Sequence, residues 1–175
     1  MPSGSPLSVV RVAEDDWESY RDLRLAMLLD APDAFWTTYA DVADRDEAAW
    51  RRAATGVLCL QVRDEDDIPL GTLTVLLPAP AAAGEPAEFA PGDALVVAVY
   101  VVPEARGRGV GDALLRAARA VAREELGATR LVLHVNELNE PARALYARHG
   151  FTPTGATLAH PRQPGVRELE LARPL

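Results

Sequence analysis

The hydrophobic pattern of the chain switches repeatedly between strand and helix periods, which predicts strands that alternate with helices. Apolar runs predict strands at residues 7–12, 57–62, 70–77, 95–102, 131–136 and 166–171, and another strand that begins at Phe151. Apolar residues at helical spacing predict helices at residues 17–29, 45–54 and 112–126, and a short helix that Asn139 caps and Gly150 ends. This order predicts a single mixed α/β sheet flanked by helices.

Residues 78–92 interrupt the pattern, because they are rich in proline, alanine and glycine. We expect an exposed, mobile loop there that carries no chemistry. The chain shows no repeat, and its 175 residues can bury about 70% of the surface that the unfolded chain exposes. We therefore expect one domain over residues 1–175.

The junction between the strand at residues 95–102 and the following helix carries the first chemical signal. The strand is a continuous apolar run, which is typical of a strand buried on both faces. Gly107, Gly109 and Gly111 follow it at the helix N-terminus, where backbone N–H groups lack partners and the helix dipole favours an anion. Glycines permit positive φ and close approach of a phosphate, and the arginines between them add charge. A phosphate site is therefore predicted, and a tight turn with solvated arginines is the alternative.

Composition narrows the classes of partner and compartment. The chain is 49% hydrophobic and 25% charged, which is ordinary for a globular protein. Its net charge of −8 disfavours nucleic acid and anionic membranes as partners. Every basic residue is arginine, which excludes acetylation of the chain on its own lysines. Residues 1–6 lack the apolar core of a signal peptide and no stretch has transmembrane length, so we expect a cytoplasmic protein.

Cysteine and histidine indicate no metal centre. Cys59 is the only cysteine, and its place in an apolar run favours a small buried hydrophobe over a nucleophile. His134, His149 and His160 lack the spacing of metal ligands, so we expect no metal ion.

Two motifs together resemble the GNAT acetyltransferase superfamily. The stretch Arg106-Gly-Arg-Gly-Val-Gly111 is similar to the family's pyrophosphate-binding motif, which has Gln or Arg, two residues, Gly, one residue, and Gly or Ala. The family's second signature is matched downstream by Asn139, Ala142, Leu145, Tyr146, Gly150 and Phe151. The resemblance covers residues 99–151, and more loosely residues 23–35. A dinucleotide site fits less well because Asp112 stands where a small residue is needed, and the Lys-Ser/Thr end of a phosphate-binding P-loop is absent.

The resemblance implies an α/β (α+β) GNAT-like acyl-CoA N-acyltransferase fold, with a mostly antiparallel sheet that parts between its fourth and fifth strands. It also implies acetyl-CoA as co-substrate. The backbone of Val99, Tyr100 and Val101 would pair with the pantetheine arm, since a peptide-like chain can add to a strand edge. Asn139 would hydrogen-bond the cofactor from the other side. Main-chain N–H groups would cradle the pyrophosphate at Arg106, Gly107, Arg108, Gly109, Val110 and Gly111.

Acetyl transfer to an amine requires a base, since an alkylammonium of pKa about 10.4 is almost fully protonated at pH 7. The leaving thiolate requires an acid. The resemblance puts Tyr146 beside the sulfur as this acid, and packing in the core is the alternative role. His134 is the candidate base or relay, and a packed strand histidine is the alternative. By analogy, the N–H of Val101 would stabilise the negative charge on the carbonyl oxygen. Three further acids are open as bases but stay outside the catalytic set: Asp93, Glu104 and Glu137.

Weaker sequence signals concern the residues around the acceptor substrate. Trp36 and Tyr39 suit a pocket and a core equally, whereas Phe35 suits the core better. His160, in the proline-rich segment 159–165, can border the acceptor or lie in a surface turn. We expect an N-acetyltransferase that passes an acetyl group from acetyl-CoA directly to the primary amine of a small molecule. The alternatives are a protein N-terminal or lysine acetyltransferase and a non-catalytic acyl-CoA-binding regulatory domain, and a homodimer is compatible with the sequence.

Overall fold

A twisted sheet of seven strands forms the centre of the computed structural model, which describes residues 6–78 and 89–175. The strands are β1 (Ser8–Arg11), β2 (Leu58–Arg63), β3 (Pro69–Leu76), β4 (Asp93–Val101), β5 (Arg130–Asn136), β6 (Thr152–Ala159) and β7 (Arg167–Pro174). The helices are α1 (Trp17–Asp30), α2 (Glu47–Thr55), α3 (Val110–Glu124) and α4 (Glu140–Arg148). Residues 79–88, most of the segment that we expect to be a mobile loop, lie outside the described residues.

The strand order is β1-β2-β3-β4-β5-β7-β6, and every neighbouring pair is antiparallel except β4 and β5. This confirms the predicted mixed, mostly antiparallel sheet. Helix α3 starts at Val110 rather than Asp112, because Gly109 and not Gly111 is its N-cap residue. Each helix in the described ranges is too short or too polar to cross a bilayer.

Helices cover both faces of the sheet. The larger core cluster joins the apolar face of α3 to β2–β5, with Leu73, Leu114 and Leu133 almost fully buried. A second cluster joins α1 and α2 to the sheet and includes Tyr100 of β4. Neighbouring side chains in a strand point to opposite faces, and Val101 packs against the larger cluster, so the two clusters lie on opposite faces. Cys59 is buried, as predicted.

The parallel strands β4 and β5 separate partway along their length. They pair only at Asp93↔Arg130, Ala94↔Leu131 and Leu95↔Val132, which confirms the parting that the resemblance implies. A bulge then bends β4, because Val97 and Tyr100 face Thr74 and Thr72 of β3 and leave one residue extra on β4. Ala98 in this bulge has φ 54°, which is unusual for a residue with a Cβ.

The expectation that β4 is buried on both faces is wrong beyond its first half. Asp93, Ala94 and Val96 are buried, whereas 36% of Val97 is exposed, because β5 no longer covers the strand there. An ion pair joins β4 and β5 at the end where they still pair, which we call the closed end of the gap between them. The two carboxylate oxygens of Asp93 accept hydrogen bonds of 2.7 Å from the Arg130 guanidinium. This ion pair lowers the pKa of Asp93, so the carboxylate serves to join the strands and is a poor candidate for the base.

Candidate active site

A cavity of about 530 Å³ opens where β4 and β5 part, and we call it the donor cavity. Its walls come from the segment after α1, the end of β4, the glycine turn and α4. The structure brings almost all the residues predicted to bind the cofactor into this lining: Val99, Tyr100, Val101, Arg106, Gly107, Gly109, Val110, Gly111, Asn139 and Tyr146. Arg108 is the exception, because its side chain is exposed and lies outside the lining.

The glycine turn makes the start of α3 accessible. Gly107 and Gly109 have φ of 75° and 83°, and a Cβ on either would have no atom within 4 Å. Because these two positions have no side chain, the first backbone N–H groups of α3 are open to the cavity. A diphosphate fits this end of the cavity, because it needs backbone donors and close approach.

Gly111 lines the donor cavity and also has a packing role that was not predicted. It lies inside α3 and lacks positive φ, and a Cβ there would come within 2.9 Å of Leu145 Cδ2. Its small size therefore allows α4 to pack against the first turn of α3. Asp112 strengthens the same junction, since its carboxylate lies 2.8 Å from His149 Nε2 at the end of α4.

Arg106 fastens the turn to its surroundings. Its Nε donates to the Val101 carbonyl at 3.1 Å, and its guanidinium pairs with Asp30 at the end of α1. Val102 N–H donates to Leu70 O of β3 at 3.0 Å, so the neighbouring Val101 points its N–H and C=O away from β3 and into the cavity. The N–H of Val101 is thus available at the parted edge, whereas its carbonyl already accepts from Arg106.

Asn139 and Tyr146 face this edge from α4. Asn139 Oδ1 caps the helix by accepting from Ala142 N–H at 3.1 Å, which leaves the amide nitrogen as the group that can reach a ligand. Tyr146 is buried and packs edge to face against Phe151, with ring centroids 5.9 Å apart. Within the described part of the chain its hydroxyl has no hydrogen-bond partner. Burial, and then the nearby charge of Glu168, raises the pKa of Tyr146, so the phenol is protonated at neutral pH and can act as an acid.

A second cavity of about 420 Å³, the acceptor cavity, lies on the other side of the β4 bulge. Ala34 and Phe35 line both cavities, and the boundary on β4 falls between Ala98 and Val99. The wall is largely apolar, with a few polar and charged groups from separate elements: Tyr20, Arg24, Thr37, Thr74, His134 and Glu168. A thioester in the first cavity and an amine in the second would therefore meet at the bulge.

The three aromatic residues of segment 35–39 occupy different positions relative to the acceptor cavity. Trp36 lines the acceptor cavity, whereas Tyr39 is exposed and lies outside it. Phe35 packs against the α1 cluster, as predicted, and also lines both cavities. Phe89 corrects the expectation that residues 78–92 carry no chemistry, because it lines the acceptor cavity and lies edge-on to the His134 ring.

The sequence decides the family. Residues 11–151 match the family model described as Acetyltransferase (GNAT) family. The chain belongs to the GNAT acetyltransferase family. Mycothiol acetyltransferase from Salinispora tropica is 32% identical to this GNAT protein over 154 residues, which cover 86% of the chain and 46% of that relative. The chain spans about half the length of the curated relatives it matches.

Solved structures share the fold of this GNAT protein. A GCN5-related N-acetyltransferase from Kribbella flavida has a TM-score of 0.73 and 22% identity, with 100% of both chains covered. An acetyltransferase structure from Salmonella typhimurium, solved with its cofactor acetyl-CoA, has a TM-score of 0.73 and 21% identity over 98% of this chain and 95% of that one. At these identities the likeness establishes the fold, and it confirms the fold class predicted from the sequence.

Glu168 lines the acceptor cavity but was not predicted from the sequence. It lies on β7 with only 4% of its surface exposed. Burial raises the pKa of the Glu168 carboxyl, which makes it a stronger base than an exposed glutamate. The available signal was the alternation of residues 167–171, in which glutamates at positions 168 and 170 share one face of the strand.

His134 shares this face of the sheet. Its Nε2 lies 3.6 Å from Glu170 Oε2, directly across from it on β7. The structure thus brings the predicted base candidate into the lining of the acceptor cavity, to which Glu168 also belongs. Glu104 is exposed and Glu137 pairs with Arg167 at 2.8 Å, and neither lines this cavity or the donor cavity.

The segment 159–165 holds the acceptor side of the GNAT domain together. The surface-turn interpretation of His160 is wrong, because its side chain is buried and its Nε2 lies 3.1 Å from Asp33 O and 3.6 Å from Glu168 Oε1. Arg162 donates to the carbonyls of Phe35 and Trp36, each at 2.6 Å, and to that of Pro32. These bonds fix the segment that separates the two cavities.

Proposed function

We propose that the protein is an N-acetyltransferase that passes an acetyl group from acetyl-CoA directly to the primary amine of a small molecule. The observation that carries the proposal is the meeting of two cavities at the β4 bulge. One cavity has an open glycine turn and a buried tyrosine, and the other has two groups that can accept a proton. Family membership supports the same reaction class.

The donor cavity suits acetyl-CoA, which when bound supplies an activated acetyl thioester. Backbone N–H groups around Gly107 and Gly109 bind its pyrophosphate, and Arg108 adds charge from the rim. The backbone of Val99 and Val101, on either side of Tyr100, holds the pantetheine arm as an added strand would be held, whereas the backbone of Tyr100 faces Thr72 of β3. The Asn139 amide binds from the α4 side.

Tyr146 is the acid in this proposal. Its hydroxyl donates a proton to the sulfur as the carbon–sulfur bond breaks, and its raised pKa keeps that proton in place beforehand. The N–H of Val101 points into the cavity and donates to the carbonyl oxygen as negative charge develops there.

The acceptor amine loses its proton in the acceptor cavity. His134 is the base or relay expected from the sequence, and Glu168 is a second candidate that its burial favours. We propose that Glu168 accepts the proton and that His134 orients the amine or relays the proton. A cavity of about 420 Å³ is the size of small-molecule sites, which favours a small acceptor over a folded protein.

The test is thiol release from acetyl-CoA with a panel of small amines and of peptides, for wild type, Tyr146→Phe and the control Tyr39→Phe. We expect turnover with small amines, a loss of about a hundred- to ten-thousandfold in Tyr146→Phe, and no change in the control. Acetyl-CoA should stabilise all three proteins equally against heat. Turnover confined to peptides would favour the protein acetyltransferase, and stabilisation without any turnover would favour the binding domain.

A further inference from the structure

Arg24 is a half-buried cation that lines the acceptor cavity. It lies one turn after Tyr20 on α1, and both side chains line the cavity. Within residues 6–78 and 89–175, its guanidinium pairs with no carboxylate and donates to no hydrogen-bond acceptor. Three arginines of neighbouring elements are paired with carboxylates, Arg21 with Asp22 at 2.7 Å, Arg51 with Glu47 at 2.8 Å and Arg63 with Asp16 at 3.0 Å, whereas Arg45 lies over the Trp50 ring.

An unpaired arginine in such a place is costly for the fold. Burial lowers the pKa of Arg24, and the charge of Arg45 acts in the same direction. The ordinary arginine pKa is so high that the side chain is still a cation at neutral pH. The five N–H donors of a guanidinium match the two oxygens of a carboxylate, and a charged group left without such partners is typical of a ligand site.

The cationic group of the cavity and its proton-accepting groups lie on different walls. Arg24 comes from α1, whereas Glu168 comes from β7 and His134 from β5. Apolar side chains such as Phe35, Leu95 and Val97 lie in the same lining. A molecule with an amine at one end, a carboxylate at the other and an apolar body is complementary to this arrangement. A phosphate dianion fits less well, because the acidic Glu168 shares the cavity.

We infer that Arg24 binds the carboxylate of the acceptor, and that the acceptor class is therefore apolar amino acids and related amino carboxylates. This inference rests on the proposed function, because it assigns the acceptor of the same site. Arg24 acts as a specificity-determining residue that fixes one end of the acceptor while the amine faces the bulge.

The experiment compares amino carboxylates with their neutral amides, for example phenylalanine with phenylalaninamide and leucine with leucinamide. The variants are Arg24→Gln, which removes the charge, Arg24→Lys, which keeps it, and the control Arg52→Gln, an exposed arginine of α2 outside the cavity. Turnover is measured with acetyl-CoA. Binding of the same compounds is measured by calorimetry with CoA, which permits no transfer.

We expect wild type to prefer the acid over its amide by about ten- to a hundredfold in both kcat/KM and binding, as for a charge-assisted hydrogen bond. Arg24→Gln should lose this preference while its affinity for CoA is unchanged, Arg24→Lys should keep part of it, and Arg52→Gln should keep all of it. Turnover without acid preference overturns the inference and leaves the proposed function standing. If the acids bind in a way that depends on Arg24 but no acetyl transfer occurs, the inference stands and the proposed function is overturned. Absence of any binding that depends on Arg24 overturns the inference whatever the turnover.

Discussion

The glycines of the strand-to-helix turn differ in what each contributes. Gly107 and Gly109 have positive φ and open space above them, whereas Gly111 is small because Leu145 packs against it. Only the first two therefore keep the start of α3 accessible to a ligand. Gly127 at the far end of the same helix also has positive φ and open space, but no ligand is expected there.

This difference makes Gly109→Glu a sharp test of the phosphate site. The substitution places a carboxylate where the pyrophosphate is expected, and the left-handed backbone costs about 1–2 kcal/mol. We expect the acetyl-CoA-induced rise in Tm to vanish. The matched control Gly127→Glu carries the same backbone cost, and its rise in Tm should equal that of wild type. An unchanged rise in Gly109→Glu would rule out the glycine turn as the phosphate site.

The proposed role of Glu168 as the base leads to a prediction about how kcat/KM depends on pH. A base must be deprotonated to act, and the pKa of Glu168 is raised above its usual value, so kcat/KM should fall as the pH is lowered through that raised pKa. We expect Glu168→Gln to lose about a hundred- to ten-thousandfold in kcat/KM and to lose this acidic limb. The pH–rate profile of Glu124→Gln, an exposed residue of α3, should match wild type. If His134→Gln abolishes the limb and Glu168→Gln retains it, the base is His134.

At the scale of elements, the separation of β4 from β5 creates the candidate site. The order of strands and helices follows from hydrophobic periodicity, so it was predictable within a few residues. The bulge was not, because Ala98 adopts positive φ without the glycine that normally marks it. It is set by register against β3 on one side and the loss of β5 on the other, and both are long-range effects.

Removal of the Asp93–Arg130 ion pair at the closed end of the gap should lower the stability of the fold. Asp93→Asn should lower the free energy of unfolding at pH 7 by about 2 kcal/mol, because a buried carboxylate with two hydrogen bonds is removed. The pKa of Asp93 is lowered in the fold, so its stabilisation is present above the ordinary value of 3.8 and is lost as the pH falls through the lowered pKa.

Denaturant unfolding at pH 7 and at about pH 3 measures this loss, and the difference between wild type and Asp93→Asn should shrink at the lower pH. The control is Glu125→Gln, which breaks the half-exposed pair with Arg11 and should cost less than about 1 kcal/mol. Equal losses in the two variants would show that the closed end is not specially held.

At the scale of the whole molecule, the two cavities differ in how the chain builds them. Most of the donor cavity comes from two short stretches, residues 99–112 and 139–148, whose motifs are local, which is why Tyr146, Asn139 and the glycines were identified from sequence. The acceptor cavity joins α1, Phe89, β5 and β7, which are far apart in the chain. No spacing rule connects Arg24 to Glu168, so only folding reveals that they share a site.

The short seam between β4 and β5 has a mechanical consequence. The sheet consists of two plates, β1 to β4 and β5 to β7, which are joined by three residue pairs and one ion pair and then diverge. Residues of β4 and α4 line the donor cavity on its two sides, and α4 leads into β6 of the second plate. We therefore expect an elongated ligand in this cavity to restrain the relative motion of the two plates, so that the protein is more rigid with the cavity occupied than with it empty.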